Sequence, residues 1–429
     1  MNVVEYDRKV EIYGEYDLVV VGGGPAGVCS AIASARLGKK VLLVESMPAL
    51  GGMATSGGVG PFMTNYDRDG EEKTVAGLFA EIVDRLEKYS AVIKSEGVEA
   101  PSEYTSFIPK YHRHVTPFNS FHLEVVLDEM VREAGVEVLC YTQFIDCEVK
   151  DGEIKHVILS QMGVLCAVKA KVFADCTGVA SLAVKAGVPT YLGDEESGVP
   201  QPGTLMFEVY GVSDEGYRAL ARGPKWPVKA YRTPVPGHYK INHHHVYNVD
   251  ASSSKQMTEA HATARKQVLD AYDELLRTQG FENCAIASVA HVLGVRECRH
   301  IEGDYKITVQ DVAEGKKFDD RIAVYGFGMD VHRRNPNESG NFKIEVAKRY
   351  YIPYKSLLAK GVKNLFVAGK TLSCESQAVG GMRCMPSCMA MGHAVGIASA
   401  MATTEGVSIR EISVKKLQET LIEQGAILD

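Results

Sequence analysis

The chain has 429 residues, 45 % of them apolar and 24 % charged, with a formal net charge of -7. That length exceeds one ordinary core and predicts two interleaved domains, and the composition excludes a fibrous or low-complexity protein. The acidic balance, with no Lys/Arg-rich block, argues against nucleic-acid binding. No apolar run of about 18 residues and no signal-peptide pattern points to a membrane, so a cytoplasmic protein is expected.

The first predicted element is the most informative. Leu18, Val19, Val20 and Val21 form the apolar run that a strand buried on both faces carries. Gly22, Gly24 and Gly27 follow at GxGxxG spacing. The first glycine permits a tight turn, the second lets backbone approach a pyrophosphate, and the third lets the next helix pack close to the strand. Pro25 suits a first helical turn, so a helix is predicted from Pro25 to Leu37, with its N-terminal N–H groups and dipole aimed at phosphates. A second strand, Lys40 to Val44, ends at Glu45, about 20 residues beyond the glycines, where an acid accepts hydrogen bonds from ribose hydroxyls. Strand, glycines, helix, strand and acid in this order predict a dinucleotide site.

After Glu45 the chain continues Ser46-Met-Pro-Ala-Leu-Gly51-Gly52 and then Met53-Ala54-Thr-Ser-Gly-Gly-Val-Gly60, a small-residue run that can lie flat on a large planar ligand. Ser120 to Ala134 reads as an amphipathic helix with Phe121, Val125, Leu127, Val131 and Ala134 mostly on one face. Gly135 to Cys140 reads as a strand and Glu148 to Val172 as an antiparallel meander. Strands are expected at Met206 to Val212 and Ile241 to Val249, and a long helix from Met257 to Gly280. The Pro/Gly-rich stretches Gly198 to Gly203 and Gly223 to Pro227 mark domain crossings. The ten cysteines form no regular framework, which favours free thiols.

Several of these segments carry a resemblance. The acid followed by Gly51-Gly52, the short strand Lys171 to Asp175 ending in Thr177-Gly178, and Asn364-Leu-Phe-Val-Ala-Gly369 are similar to FAD-binding segments of the glutathione-reductase-like flavoprotein superfamily. Gly380-Gly-Met-Arg-Cys-Met-Pro-Ser-Cys-Met-Ala-Met-Gly-His-Ala-Val-Gly396, the Gly51-Gly-Met-Ala-Thr55 run and Gly294-Val-Arg-Glu-Cys-Arg-His-Ile-Glu-Gly-Asp-Tyr305, with Thr308 and Asp311, resemble the FAD-dependent oxidoreductase family within it, over nearly the whole chain. The resemblance implies an α/β protein: a Rossmann-like FAD-binding domain, residues 1–90, 119–200 and 350–429, with a discontinuous α+β substrate or lid domain, 91–118 and 201–349. It implies FAD as cofactor, held by Gly22, Gly24, Pro25, Ala26, Gly27, Glu45 and Ser46 at the ADP half. Gly51, Gly52, Met53, Ala54, Thr177, Gly178, Gly369, Arg383 and Met385 follow towards the flavin, and the Tyr141 to Ile145 segment, with Phe144, lies at adenine. A helix from Ser387 to Ala402 would direct its N-terminus at the flavin pyrimidine edge, where reduced flavin is negative. Four positions depart from the family pattern: Lys370 replaces an Asp after Gly369, Val179 replaces an Asp after Gly178, and Ser376-Gln377 replaces His-Glu.

With the redox step supplied by flavin, the protein needs a pocket, orienting groups and one acid or base. In Asn242-His243-His244-His245-Val-Tyr247, a strand would put His243 and His245 on one face, where a neutral imidazole could take a hydroxyl proton; hydrogen-bonded strand histidines are the competing reading. No matching Cys or carboxylate cluster identifies a metal, and none is expected. Arg296 and Arg299 could anchor an anionic substrate, or form an ion pair with Glu297 or Asp304. Arg383 is open to the same structural reading, and Cys374, Cys384 and Cys388 read as structural thiols near the flavin. The expected activity is an FAD-dependent oxidoreductase, dehydrogenase or oxidase, that takes hydride from a small hydroxylated or amino substrate and passes electrons to an unknown acceptor. A flavin-dependent C=C reductase and a non-catalytic or electron-transfer flavoprotein subunit are the alternatives.

Overall fold

The computed structural model describes residues 8–97, 113–213, 229–337 and 345–429. The Pro/Gly-rich stretch 223–227 lies outside them.

The apolar run opens a parallel sheet as expected. β1 (Glu11–Val21) leads through the glycines into α1 (Pro25–Arg36), and β2 (Val41–Val44) pairs parallel beside β1, Val21 opposite Val44. After α2 (Leu78–Lys88) comes α3 (Ser120–Glu133), capped by Asn119, whose side chain accepts from His122 N. The buried face of α3 is Leu123, Val126, Leu127, Met130 and Val131, whereas Phe121 is 66 % exposed. The predicted face was therefore set partly on the wrong side of the helix. β3 (Glu137–Leu139), β4 (Thr142–Lys150), β5 (Glu153–Gln161) and β6 (Val164–Asp175) complete the sheet in the order β3-β2-β1-β6-β5-β4.

β6 joins two kinds of pairing. Its first half pairs antiparallel with β5, forming the predicted meander, and Cys166 to Asp175 run parallel to β1. The short α4 (Ser181–Lys185) and β7 (Thr190–Leu192) follow. The chain then builds a four-stranded antiparallel sheet from β8 (Phe207–Tyr210), β9 (Ala230–Arg232), β10 (Tyr239–Ile241) and, after α5 (Ser254–Leu276), β11 (Ala285–Val289). Ala264, Val268, Ala271 and Leu275 of α5 pack on Phe207, Val209 and Ile241 to form a separate core.

The last third returns to the large sheet. β12 (Arg299–Ile301) pairs with β7, and α6 (Val309–Glu314) starts with a capping box between Thr308 and Asp311. β13 (Arg321–Tyr325) pairs with β14 (Tyr350–Pro353), and β15 (Leu365–Val367) joins the C-terminal half of β6 in parallel. α7 (Val379–Met382) precedes α8 (Met385–Glu405), which is buried at every position from Met385 to Ala402 except Ala390, and α9 (Val414–Glu423) closes the chain. A helix that is apolar all round belongs inside a core, and glycines let this one approach α1. A Cβ on Gly392 would stand 2.1 Å from Ala26 O and one on Gly396 2.4 Å from Ser30 O, so only glycine fits at either position.

Candidate active site

The turn after β1 is built from backbone constraints. Gly22 adopts φ +101°, and a Cβ on Gly27 would lie 1.8 Å from Gly22 O. At Gly24 the opposite holds: a Cβ would meet nothing within 4 Å, because it would point into open space. That space is a slot of about 450 Å³, lined at one end by Gly24, Pro25, Ala26, Glu45 and Ser46 and further along by Gly52 and Met53. Thr177 and Gly178 after β6, Gly369 after β15 and Phe144 on β4 also line it, as do Arg383, Met385 and Cys388. Gly51 and Ala54 flank this wall. Gly51 is left-handed at φ +99°, where its N–H donates to Gly23 O, and Ala54 is buried in the short helical turn that follows.

Glu45 sits where the sequence placed it, at the end of β2. Its carboxylate accepts from Gly23 N at 2.7 Å and Met47 N at 2.8 Å, which fixes it at the edge of the slot. Buried Asp175 holds the Thr177-Gly178 turn by accepting from Thr177 N and Ala183 N. Burial pushes its carboxyl up, against the lowering effect of those N–H groups. Lys370 packs over this turn, with its Cε 3.3 Å from the place a Gly178 Cβ would occupy, and its ammonium donates to Val295 O. Burial pushes the Lys370 ammonium down to about 8.

A second cavity of about 190 Å³ abuts the slot, and Met53, Lys370, Arg383 and Met385 line both. Its polar wall is Asn242, Arg296, Asp330 and His332, with Thr204, and its apolar wall includes Val59, Pro61, Met63, Met206 and Phe327. Arg296 donates to Pro202 O at 2.7 Å and Thr204 Oγ1 at 2.8 Å, and burial, reinforced by Arg383, pushes its guanidinium down to about 10. Neither expected ion-pair partner holds it, since Glu297 pairs with Arg334 and Asp304 with Arg410. Arg383 donates to Asp330 O at 2.7 Å and lies 3.3 Å from Asp330 Oδ2.

The histidine run departs from expectation. β10 ends at Ile241, and the chain leaves the sheet because His244 takes φ +35°, Thr204 donates to His244 O, and Gln267 donates to His245 O. His243 and His245 therefore share no strand face. His243 turns towards α5, 3.6 Å from Glu274, and neither residue lines the slot or the chamber. His245 stands behind His332, ring centroids 5.0 Å apart. Burial pushes the His243 imidazole down to about 4 and, with the Arg296 charge, His245 to about 2.

His332 is the imidazole that reaches the chamber, and sequence reasoning missed it. Its Nε2 lies 3.2 Å from Asp330 Oδ2, and its backbone N–H donates to Gln201 Oε1. Burial, reinforced by Arg296 and opposed by Asp330, pushes it down to about 4. Burial raises the Asp330 carboxyl, yet His332, Arg383 and Arg296 together hold it well below the usual carboxylate range. The available signal was Asp330-Val-His332, an acid and an imidazole two residues apart in a segment without helix or strand periodicity. Gly380 lets α7 pass this segment closely, since a Cβ there would stand 2.9 Å from Asp330 N.

The slot fits FAD on its own geometry. The Gly24 cradle is open and would be filled by a Cβ, α1 and α8 both start at the slot, and Arg383 Nη1 is buried without a hydrogen-bond partner among the described residues. All ten cysteines are free thiols. Among the described residues, no helix is long and apolar enough to cross a membrane.

The comparisons with known proteins agree with this geometry. Residues 17–421 match the FAD dependent oxidoreductase family, and the chain belongs to that family; it is an enzyme, and FAD is its cofactor. Digeranylgeranylglycerophospholipid reductase of Methanospirillum hungatei is 33 % identical over 172 residues, which cover 39 % of this chain and 39 % of the relative. Soluble pyridine nucleotide transhydrogenase of Mycobacterium bovis is 52 % identical over 50 residues, 12 % of this chain and 11 % of that one. Each match thus spans well under half of the curated relative. Among solved structures, p-nitrophenol 4-monooxygenase of Pseudomonas putida aligns with a TM-score of 0.51 at 13 % identity, over 96 % of this chain and 85 % of that one. A geranylgeranyl bacteriochlorophyll reductase-like protein of Thermoplasma acidophilum aligns at 0.50 and 11 % identity, over 97 % and 85 %. At these identities the likeness shows the fold alone.

Proposed function

We propose that the chain is an FAD-dependent dehydrogenase or oxidase that removes hydride from a small hydroxylated or amino substrate held in the chamber beside the slot. The observation that carries this reading is His332, paired with Asp330 and lining the chamber that abuts the slot. When bound, FAD supplies a two-electron hydride acceptor. Gly24, Pro25 and Ala26 at the α1 N-terminus would hold its pyrophosphate and Glu45 its ribose, with Met53, Lys370, Arg383 and Met385 towards the ring. The α8 N-terminus and the Lys370 ammonium favour negative charge at that end.

The chain's own part in the reaction is proton transfer and orientation. With Nε2–H donated to the Asp330 carboxylate, the neutral imidazole keeps its lone pair on Nδ1 and can take the proton of a hydroxyl or ammonium while the substrate C–H is oxidised. Arg296 orients the substrate. The base role expected of His243 and His245 moves to His332. The Glu45 and Gly51-Gly52 arrangement supports a place in the glutathione-reductase-like superfamily, and the two-cavity layout supports the discontinuous division into FAD-binding and substrate domains.

A C=C reductase is the second reading, supported by the Methanospirillum relative, which is a reductase. The small chamber with charged groups on one wall argues against a long apolar chain as substrate. Anaerobic mixing of the purified flavoprotein with alcohols, hydroxy acids and amines tests both: bleaching of the visible flavin band is expected. Failure of every donor, together with reoxidation of the reduced protein by an enoate, would establish the second reading instead.

A further inference from the structure

We infer that the substrate is a small α-hydroxy or α-amino carboxylate, with its carboxylate held between Arg296 and Arg383. This rests on the hydride-transfer reading and deepens it to a substrate class.

The charges of the chamber point there. Its lining carries three cations, Arg296, Lys370 and Arg383, against one carboxylate, Asp330, and His332 is neutral near pH 7. Asp330 is already engaged by Arg383 and His332. The hydrogen-bond partners of Arg296, Pro202 O, Thr204 Oγ1 and Asn242 Oδ1, are all neutral, so among the described residues its charge meets no carboxylate at hydrogen-bond distance. A cation removed from water without a counter-charge is costly, and an incoming anion offsets that cost. Arg383 Nη1, buried and without a partner among the described residues, is a second donor on the same wall. Planar guanidinium donors match a carboxylate better than they match a hydroxyl or an amine.

Size and the opposite wall set the rest of the molecule. The chamber's 190 Å³ lies below the roughly 300–1,000 Å³ of a drug-sized site. Met63, Met206 and Phe327 face the polar groups and suit a short apolar side chain. An α-hydroxy acid anchored in this way would present its α-carbon to the end of the slot and its hydroxyl to His332. Oxidation there would take the α-hydrogen with its electron pair, for which bound FAD would supply the two-electron acceptor, and the hydroxyl proton to His332, turning the C–O bond into the carbonyl of an α-oxo acid, so that one hydride and one proton are accounted for.

Binding can be tested without turnover. α-Hydroxyisobutyrate and atrolactate have no α-hydrogen and cannot be oxidised, so the oxidised holoenzyme is titrated with each and with the corresponding amides, followed by calorimetry and by the visible flavin spectrum. At least one carboxylate is expected to bind about tenfold or more tightly than its amide, the discrimination of one charge-assisted contact. Arg296→Met and Arg383→Met should each erase the preference, and Arg296→Lys should retain part of it. FAD content and melting temperature show that each variant is folded. Equal binding of acid and amide, no binding of either acid, or a preference that survives both Met substitutions would overturn the assignment. If the carboxylates bind selectively and yet no α-hydroxy or α-amino acid bleaches the flavin, the hydride-transfer reading fails while the anion site stands.

Discussion

His332 must be neutral to accept a proton, and its surroundings keep it so. Burial and the Arg296 charge outweigh Asp330 and hold the imidazole at about 4 rather than near its ordinary value of about 6.5. Because the working form is the unprotonated one, the flavin reduction rate should stay flat as pH falls from about 7, below the Lys370 titration near 8, to about 5 and decline only as pH approaches about 4. An apparent pKa near 6.5 in stopped-flow reduction would show that another group is the base. His332→Ala should slow reduction by about 10²- to 10⁴-fold with FAD content unchanged. His243→Ala, on the far side by α5, should leave the rate within about twofold of the parent.

At the scale of elements, two glycines of one motif make opposite predictions. The Gly24 Cβ direction is open, so Gly24→Val should fold with nearly parental stability and yet lose FAD, seen as a colourless protein with a normal far-ultraviolet spectrum. Gly392→Ala forces α8 away from α1 at Ala26 O and should cost about 1–3 kcal/mol or more in urea unfolding. If Gly24→Val retains its flavin, the slot is misassigned. The glycine turn, Glu45 and the α8 motif were legible in the sequence because each is fixed by short-range backbone geometry. The histidine run was misread because its strand ends at Ile241, where Thr204 and Gln267, distant in sequence, claim its carbonyls. Likewise, the Phe121 face of α3 was set by which neighbours arrive, not by period alone. Asp330 and His332 lie in a segment with no periodicity, and only the fold brings them to Arg296 and Arg383.

Across the whole molecule, the slot gathers residues from β1, α1, β2, β4, the turns after β6 and β15, and α8, so a ligand filling it ties distant parts of the chain together. FAD at about 100-fold above its dissociation constant should add about 2.7 kcal/mol to stability. Apoprotein melts with increasing FAD should therefore rise by several degrees, and a melting temperature independent of FAD would contradict the slot's role. The position of β6 has a further consequence during synthesis. Its C-terminal half waits for β15, and α1 waits for α8, the helix with which it shares its closest glycine contacts. A ribosome adds about 5–20 residues per second, so the nascent chain spends on the order of tens of seconds with the inner face of α1 and one edge of β6 uncovered. A chain released before residue 385 would lack the helix that closes its core.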